Sequence, residues 1–468
     1  MTPPRHPIHL PRITLLAALL AVCLLLAAHA ADAKPTPQKW ATTWAQAMTS
    51  NYTQVTGSDG KPTRDAYGQP QEQAPTVAHL TLRQTVTISA GGERVRIRLS
   101  NYYGRSPLTV SAARIALGAG HADDLSATKP DSDRPLSFDS GKPSITIAPG
   151  SEAVSDPVDL HVPALSNAVV SLYFAGPAQL ADFHPMEQAH TTYAVDGDAT
   201  RQPSLAQLPA AKALPRTRDD HIYLLSGVEV EVPASTRSIV AFGDSITDGA
   251  LASAPTAPWP AVLARVAQQY GEAAAVTNAG ISADELATDQ IGAPGAGASG
   301  LKRFQRDVVD RSGVTDVVVL FGANDINRGI DSAGYPNGAS AGDLIASMRM
   351  LADVAHQHHL RIYAGTVTPF AGFPGWYSPQ REAVRLQFNQ WIRHSDIFDG
   401  VVDFADAVAG TYAPPPLVAK QSSLPVGMAT VCAGDAGLHP NDRGYAVMGT
   451  LAYDVLFHAK LQAPQGCH

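Results

Sequence analysis

An all-β front half followed by a doubly wound α/β half is the fold this sequence predicts. Three observations carry it. Up to about residue 232, apolar side chains recur at every second position in short runs split by Pro, Gly and Asp clusters. Beyond Pro233-Ala234-Ser235, short continuous apolar runs alternate with helical stretches. With 468 residues the chain is also too long for one small core, so two domains are expected, over 38–233 and 234–468.

The first 33 residues read as an address. Arg5 and Arg12 precede an apolar run from Ile13 to Ala28, followed by the small-x-small sites Ala28-His29-Ala30 and Ala31-Asp32-Ala33. The alternative is a membrane anchor. The run falls short of the about 20 residues a span needs, and Lys34-Pro35-Thr36-Pro37 follows it, so a cleaved signal peptide over 1–33 is expected. Val22 is too large to precede a lipoprotein cysteine at Cys23. No membrane segment is expected after cleavage, and export would deliver the protein to the periplasm or beyond.

In the front half, Leu80, Leu82, Val86 and Ile88 share one face of a period-two run. The turn Ala90-Gly91-Gly92 then leads into Val95, Ile97 and Leu99, alternating with Arg94, Arg96 and Arg98. This predicts a β-hairpin with apolar residues inward and arginines outward. Further strands are expected at 144–148, 168–174 and 222–230, giving a sandwich or jelly roll. In the second half, strands are expected at 238–242, 275–278, 316–321, 361–366 and 400–403. Helices are expected at 259–270, 301–310, 341–358, 379–393 and 442–456. A run such as Val317-Val318-Val319-Leu320-Phe321 suits a strand buried on both faces, hence a parallel sheet. Ligands of such sheets bind beyond the carboxyl ends of the strands.

Composition narrows the function. Hydrophobic residues at 45% and charged residues at 16% fit a folded globular protein. A formal charge of −8 without a basic run would repel nucleic acid. No phosphate loop, zinc pattern or dinucleotide fingerprint is present, so no cofactor or metal is expected. Without the leader two cysteines remain, Cys432 and Cys467. In an oxidising compartment an isolated pair is more often a disulfide than a metal site, and closing that loop adds about 3–4 kcal/mol. It would tie the segment before His439 to the C-terminal tail.

Four polar blocks stand where ligands would bind. Gly243-Asp244-Ser245-Ile246-Thr247-Asp248-Gly249, Asn278-Ala279-Gly280-Ile281-Ser282 and Gly322-Ala323-Asn324-Asp325 follow the first three strands of the second half. Asp435-Ala436-Gly437-Leu438-His439-Pro440-Asn441-Asp442 lies near the C-terminus. Each alone is an ordinary turn; their joint occurrence in this order resembles the GDSL (SGNH) hydrolase family. The resemblance implies a flavodoxin-like three-layer αβα fold and ester hydrolysis. It implies Ser245 as nucleophile, Gly280 and Asn324 as oxyanion donors, and His439 as base. With the β-rich front half, the chain also resembles a secreted two-domain subgroup associated with arylesterase and acetylxylan-esterase activities.

The residue chemistry agrees. A serine hydroxyl needs a base during attack, and imidazole suits neutral pH. The tetrahedral oxyanion needs donors already in place, here the N–H groups of Ser245 and Gly280 and the side-chain amide of Asn324. Family members place an Asp three residues before the His; here that position is Ala436, and Asp435 stands four before. A loop absorbs one residue of slack, so Asp435 is expected to orient the imidazole, the alternative being a backbone carbonyl.

Other residues read more plainly. Asp244, Asp248, Asp325 and Asn327 are expected to bond local groups in their turns. His356, His358 and His359 suit a helix C-terminus. Phe370, Phe373, Trp376 and Tyr377 follow the fourth strand as a wall for an acyl or sugar group, or as core. Three functions are open: a carbohydrate O-acyl esterase acting on acylated polysaccharide, a lipase or arylesterase on small or lipid esters, and a binding protein on an inactive hydrolase scaffold.

Overall fold

The computed structural model describes residues 36–468 apart from 59, 66–67, 122, 186–190, 212–220, 290–296, 329–337, 412–425, 460, 462–466 and 468. The leader read over 1–33 lies outside the described residues. Lys39–His468 form one compact unit. Among the described residues no helix is long and apolar enough to cross a membrane.

The front half is built on two five-stranded sheets, with smaller two- and three-stranded sheets beside them. Its principal strands are β1 (Gln38–Ala45), β2 (Leu80–Thr87), β3 (Gly92–Asn101), β4 (Ala112–Leu117) and β5 (Arg134–Leu136). They continue as β6 (Ser151–Val154), β7 (Val158–Val162), β8 (Asn167–Phe174), β9 (Thr191–Asp196) and β10 (Leu225–Pro233). One sheet runs β1-β10-β3-β6 with β7 also on β3; the other runs β5-β4-β8-β2-β9. The expected facing holds: Leu82, Val86 and Ile88 share one core with Val95, Ile97 and Leu99.

The expected hairpin does not form. β2 pairs with β8 and β9, whereas β3 pairs with β6, β7 and β10, so the glycine turn carries the chain from one sheet to the other. Period-two alternation specifies which face is buried and is silent on the partner. Gly91 is needed for close approach: a Cβ there would stand 2.4 Å from the Val162 carbonyl oxygen.

The arginine face of β3 is likewise not simply outward. Arg96 and Arg98 hold Glu229 of β10, which is fully buried, at 2.6 and 2.8 Å. Ser312 of the second half donates to the same carboxylate at 2.8 Å, and Arg311 reaches Glu152 at 3.1 Å. Burial disfavours a charged Glu229, but Arg98 and Arg96 outweigh it and lower its pKa. A paired charged layer therefore joins the two halves.

In the second half, β11 (Arg237–Gly243), β12 (Ala274–Gly280), β13 (Asp316–Leu320), β14 (Arg361–Gly365) and β15 (Gly400–Val402) form one sheet, ordered β12-β11-β13-β14-β15. Every neighbouring pair is parallel. This is the doubly wound 2-1-3-4-5 order, whose switch point lies beside the first strand. Its helices are α1 (Ser245–Asp248), α2 (Trp259–Gln269), α3 (Gly300–Phe304), α4 (Ala323–Asn327), α5 (Ala341–Gln357), α6 (Pro379–His394), α7 (Phe404–Val408) and α8 (Asp442–Phe457). The helix expected at 301–310 is α3 running into a π-helical turn, Gln305–Val309.

Alternate strand residues face opposite layers. Val240, Phe242, Val317 and Val319 share a core with Leu344, Met348 and Leu351 of α5 and Phe388 of α6. Ile239, Ala241, Val318 and Leu320 share another with Leu263 of α2 and Tyr445 and Met448 of α8. β12 ends the sheet, and the front half covers that edge: the Val276 N–H donates to Ser89 Oγ at 2.9 Å.

Candidate active site

The polar blocks converge where the doubly wound rule places a ligand. Ser245 opens α1 directly after β11, and buried Asp244 caps the helix by accepting the Ile246 N–H at 3.0 Å. As the first residue of α1, Ser245 has an N–H with no intrahelical acceptor. Its Oγ lies 3.0 Å from His439 Nε2.

His439 is held by its own loop. Asp435 Oδ2 meets His439 Nδ1 at 2.7 Å, while Oδ1 accepts the N–H groups of Gly437, Leu438 and His439 at 3.0, 2.9 and 3.1 Å. Partial burial works against the Asp435 charge, but the His439 ring and the Leu438 and His439 N–H groups overcome it and hold the pKa at about 2. The orienting group is thus a carboxylate, and the extra residue is absorbed by Gly437 at φ +102°. Cys432 and Cys467 form a disulfide with Cα atoms 5.7 Å apart, and Asn441 N–H bonds the Cys432 carbonyl. α8 ties this loop to the nucleophile side: Tyr445 donates to the Ala250 carbonyl at 2.7 Å, and Asp442 accepts the Ser253 N–H at 2.9 Å.

The opposite wall differs from expectation. Gly280 ends β12 with its N–H donating to Asn278 Oδ1 at 2.9 Å, and it does not line the cleft around Ser245. A Cβ on Gly280 would stand 2.1 Å from the Asp248 nitrogen, so glycine serves the packing of β12 against α1. Ala283 occupies the place expected of Gly280. It lines the cleft at φ +63°, and its N–H has no acceptor of its own among the described residues. Asn324, early in α4, also lines the cleft, with one amide hydrogen given to the Asp284 carbonyl at 3.0 Å. The second amide hydrogen, with the N–H groups of Ser245 and Ala283, makes a donor set for an oxyanion.

Beneath this wall lie buried charges, of which the sequence analysis did not single out Arg303 and Asp284. Arg303, 2% exposed, donates to the carbonyls of Gly243 and Ala279 at 2.9 and 2.8 Å and to Asp284 at 2.7 Å, joining the ends of β11 and β12. Burial pushes Asp244 up to about 7, with repulsion from Asp325 and Asp284 adding to it. Burial likewise pushes Asp284 up to about 7 against the pull of Arg303, and Asp325 to about 6. Asp325 accepts its own backbone N–H and also reaches beyond its turn, to the N–H groups of Leu286 and Ala287 at 2.9 and 3.3 Å. Asp248 also reaches further than its turn, to Ser282 and the front half. Asn327 does bond locally, to the Ala323 carbonyl at 2.9 Å. His356 and His358 end α5 as expected, and His356 meets Asp399 at 3.3 Å.

The cleft holds about 370 Å³ and is flanked by Leu251, Leu438, Phe373 and Trp376. The Phe373 ring stands edge-on to the His439 imidazole, with centroids 6.4 Å apart. Of the four aromatic residues expected as wall or core, Phe373 and Trp376 line the cleft; Phe370 is fully buried in the core and Tyr377 does not line the cleft, so these two are corrected as wall residues.

Residues 241–447 match the model of the GDSL-like lipase/acylhydrolase family. This part of the chain is a GDSL-type domain. Its chemistry is carboxylic ester hydrolysis. Among solved structures, a lipase/acylhydrolase from Enterococcus faecalis is similar, at 22% identity over 49% of this chain and 100% of that one, with a TM-score of 0.35. The native aryl esterase of M. smegmatis is similar at 16% identity over 47% of this chain and 97% of that one, with a TM-score of 0.34. A carbohydrate acetylesterase family member from Sinorhizobium meliloti is similar at 15% identity over 47% and 96%, with a TM-score of 0.33. No curated protein matches the chain. Within the GDSL-type domain, Ala283 had no sequence signal to find it by, because alanine in a left-handed conformation leaves no compositional mark.

Proposed function

We propose that the protein is an exported serine esterase that removes small O-acyl groups, acetyl foremost, from carbohydrate. The observation that carries the esterase reading is the line from Ser245 Oγ to His439 Nε2 to Asp435, opening on a cleft with donors at Ala283 and Asn324. Ser245 Oγ attacks the ester carbonyl as His439 Nε2 takes its proton, and Asp435 stabilises the imidazolium through Nδ1. The oxyanion is received by the N–H groups of Ser245 and Ala283 and by Asn324 Nδ2. The tetrahedral intermediate collapses, the alcohol leaves with the proton from Nε2, and the acyl group stays on Oγ. Water, deprotonated by the same imidazole, releases the acid.

The aromatic side of the cleft suits the apolar face of a sugar ring, and a space of about 370 Å³ suits a short acyl group better than a long chain. The apolar residues Leu251 and Leu438 favour a second reading, an aryl esterase. Export rests on the apolar leader and small-x-small sites of the sequence. One comparison decides between the readings: acetate release from acetylated xylan beside hydrolysis of phenyl acetate and long-chain p-nitrophenyl esters. Acetate release in preference to the others supports the carbohydrate reading, and hydrolysis confined to aryl or long-chain esters overturns it. A fluorophosphonate that leaves Ser245 unlabelled would overturn the esterase mechanism itself.

A further inference from the structure

The nucleophile helix is held at both ends, and the far end is held by the front half. Asp248 closes α1 and is fully buried. Its Oδ1 meets Nε2 of His184 at 3.2 Å and the side-chain amide of Gln46 at 3.4 Å. Its Oδ2 accepts the hydroxyl of Ser282 at 3.0 Å. Ser282 is the residue before Ala283, so one carboxylate bonds the end of the helix that begins at Ser245 to the loop that presents the Ala283 N–H. Asn278 closes the same corner, donating to the carbonyls of Thr247 and Asp248 at 2.8 and 3.1 Å.

His184 is itself a fixed point. Its ring is fully buried, and Nδ1 donates to the Ala47 carbonyl at 2.7 Å, so both ring nitrogens are engaged. It ends the short strand Asp182–His184, whose Asp182 accepts the N–H groups of Tyr102 and Tyr103, each at 2.8 Å. A buried carboxylate left without such a partner is destabilised and would move to find solvent. Sub-ångström displacement of a preorganised donor is enough to lower turnover.

We infer that His184, assisted by Gln46, is a positioning residue for the esterase reaction: through Asp248 it sets the nucleophile helix against the oxyanion loop, making the β half a working part of the active site. This rests on the serine-esterase reading above. The test is steady-state hydrolysis of a small aryl ester by the full chain and its His184→Ala, Ser282→Ala and doubly substituted forms. The inference expects His184→Ala to lower kcat about tenfold or more with KM within about twofold, the signature of an interaction felt in the transition state. Ser282→Ala lowers kcat in the same way, and the double variant falls no further than the worse single one, because both act through one carboxylate. A folded His184→Ala protein whose kcat falls less than about threefold, or whose KM rises in step with the loss, overturns the inference. Should His184→Ala fail to fold, Ser282→Ala, which leaves the β half untouched, is judged by the same limits. The wild type runs in parallel with fluorophosphonate labelling. An inactive, unlabelled wild type refutes the esterase reading, whereas an active wild type with an undiminished variant refutes the positioning role alone.

Discussion

The two sides of the cleft are built in opposite ways. The acid–base side is nearly contiguous: Asp435 and His439 sit in one short loop, satisfied by its own backbone and closed by the disulfide. The oxyanion side is assembled from α1, the loop after β12 and α4, and it rests on Arg303, Asp284 and Asp325 buried below. A local device resists disturbance elsewhere, because few long-range contacts set its geometry. An assembled one inherits every shift in the packing around it. Damage to the first should therefore be chemical, and damage to the second should couple stability to rate.

Four measurements can break or sharpen that contrast. The largest effect is expected from Asp435→Asn, which keeps the shape and removes the charge behind the imidazole. In a serine protease the equivalent change costs about 10⁴ in rate, and a fall in turnover of that order is expected here, with thermal stability little changed. A loss under about twofold would hand the orienting role to another group. Asn324→Ala comes next: kcat should drop about 10²–10³, and because its amide also supports the Asp284 carbonyl, the melting temperature should drop too. An unchanged melting temperature would mean that this side is less coupled than its construction implies.

Gly280→Ala separates packing from hydrogen bonding. The substitution keeps the N–H but forces a Cβ onto the backbone of Asp248, so a stability loss of about 1–3 kcal/mol by denaturant titration is expected. Normal stability would contradict the close approach. The fourth measurement is the dependence on pH. Asp244 and Asp284 titrate near 7, well above the ordinary carboxylate value, so the native state holds these protons more tightly than the unfolded chain. Their stabilisation is complete below about pH 4 and is lost as pH rises through about 7. Asp435, at about 2, acts in the opposite sense and loses its contribution only in strong acid. Melting curves from pH 5 to 8 should show a gradual decline that Asp244→Asn makes shallower; an identical slope in the variant would rule out Asp244 as its source.

How far the sequence was legible follows the range of the interactions. In the second half, apolar runs bounded by turns carry strand positions, helix positions and parallel order together, because a strand buried on both faces has few alternatives. In the first half, alternation at Leu82, Val86, Val95 and Ile97 reported the buried face correctly and said nothing about partners, so a crossing between sheets read as a hairpin. Within the site, Ser245 and Asn324 were visible as polar residues at strand ends, and Asp435 and His439 because their block completes the same ordered set. Gly280 drew attention as the glycine of its block, yet the donor placed in the cleft belongs to Ala283, three residues on. Phe370 and Trp376 looked equivalent as aromatic residues of one loop, and only burial separates core from wall. His184 was invisible, since its partner lies 64 residues away in sequence.

The cap that Ser89 places on β12 has a practical corollary for anyone cutting this protein apart. A fragment starting near residue 234 would keep every group of the catalytic line but bare a row of backbone donors and acceptors along its outermost strand. Such a surface recruits strands from other molecules. Self-association of the truncated enzyme should therefore be anticipated even where its chemistry survives.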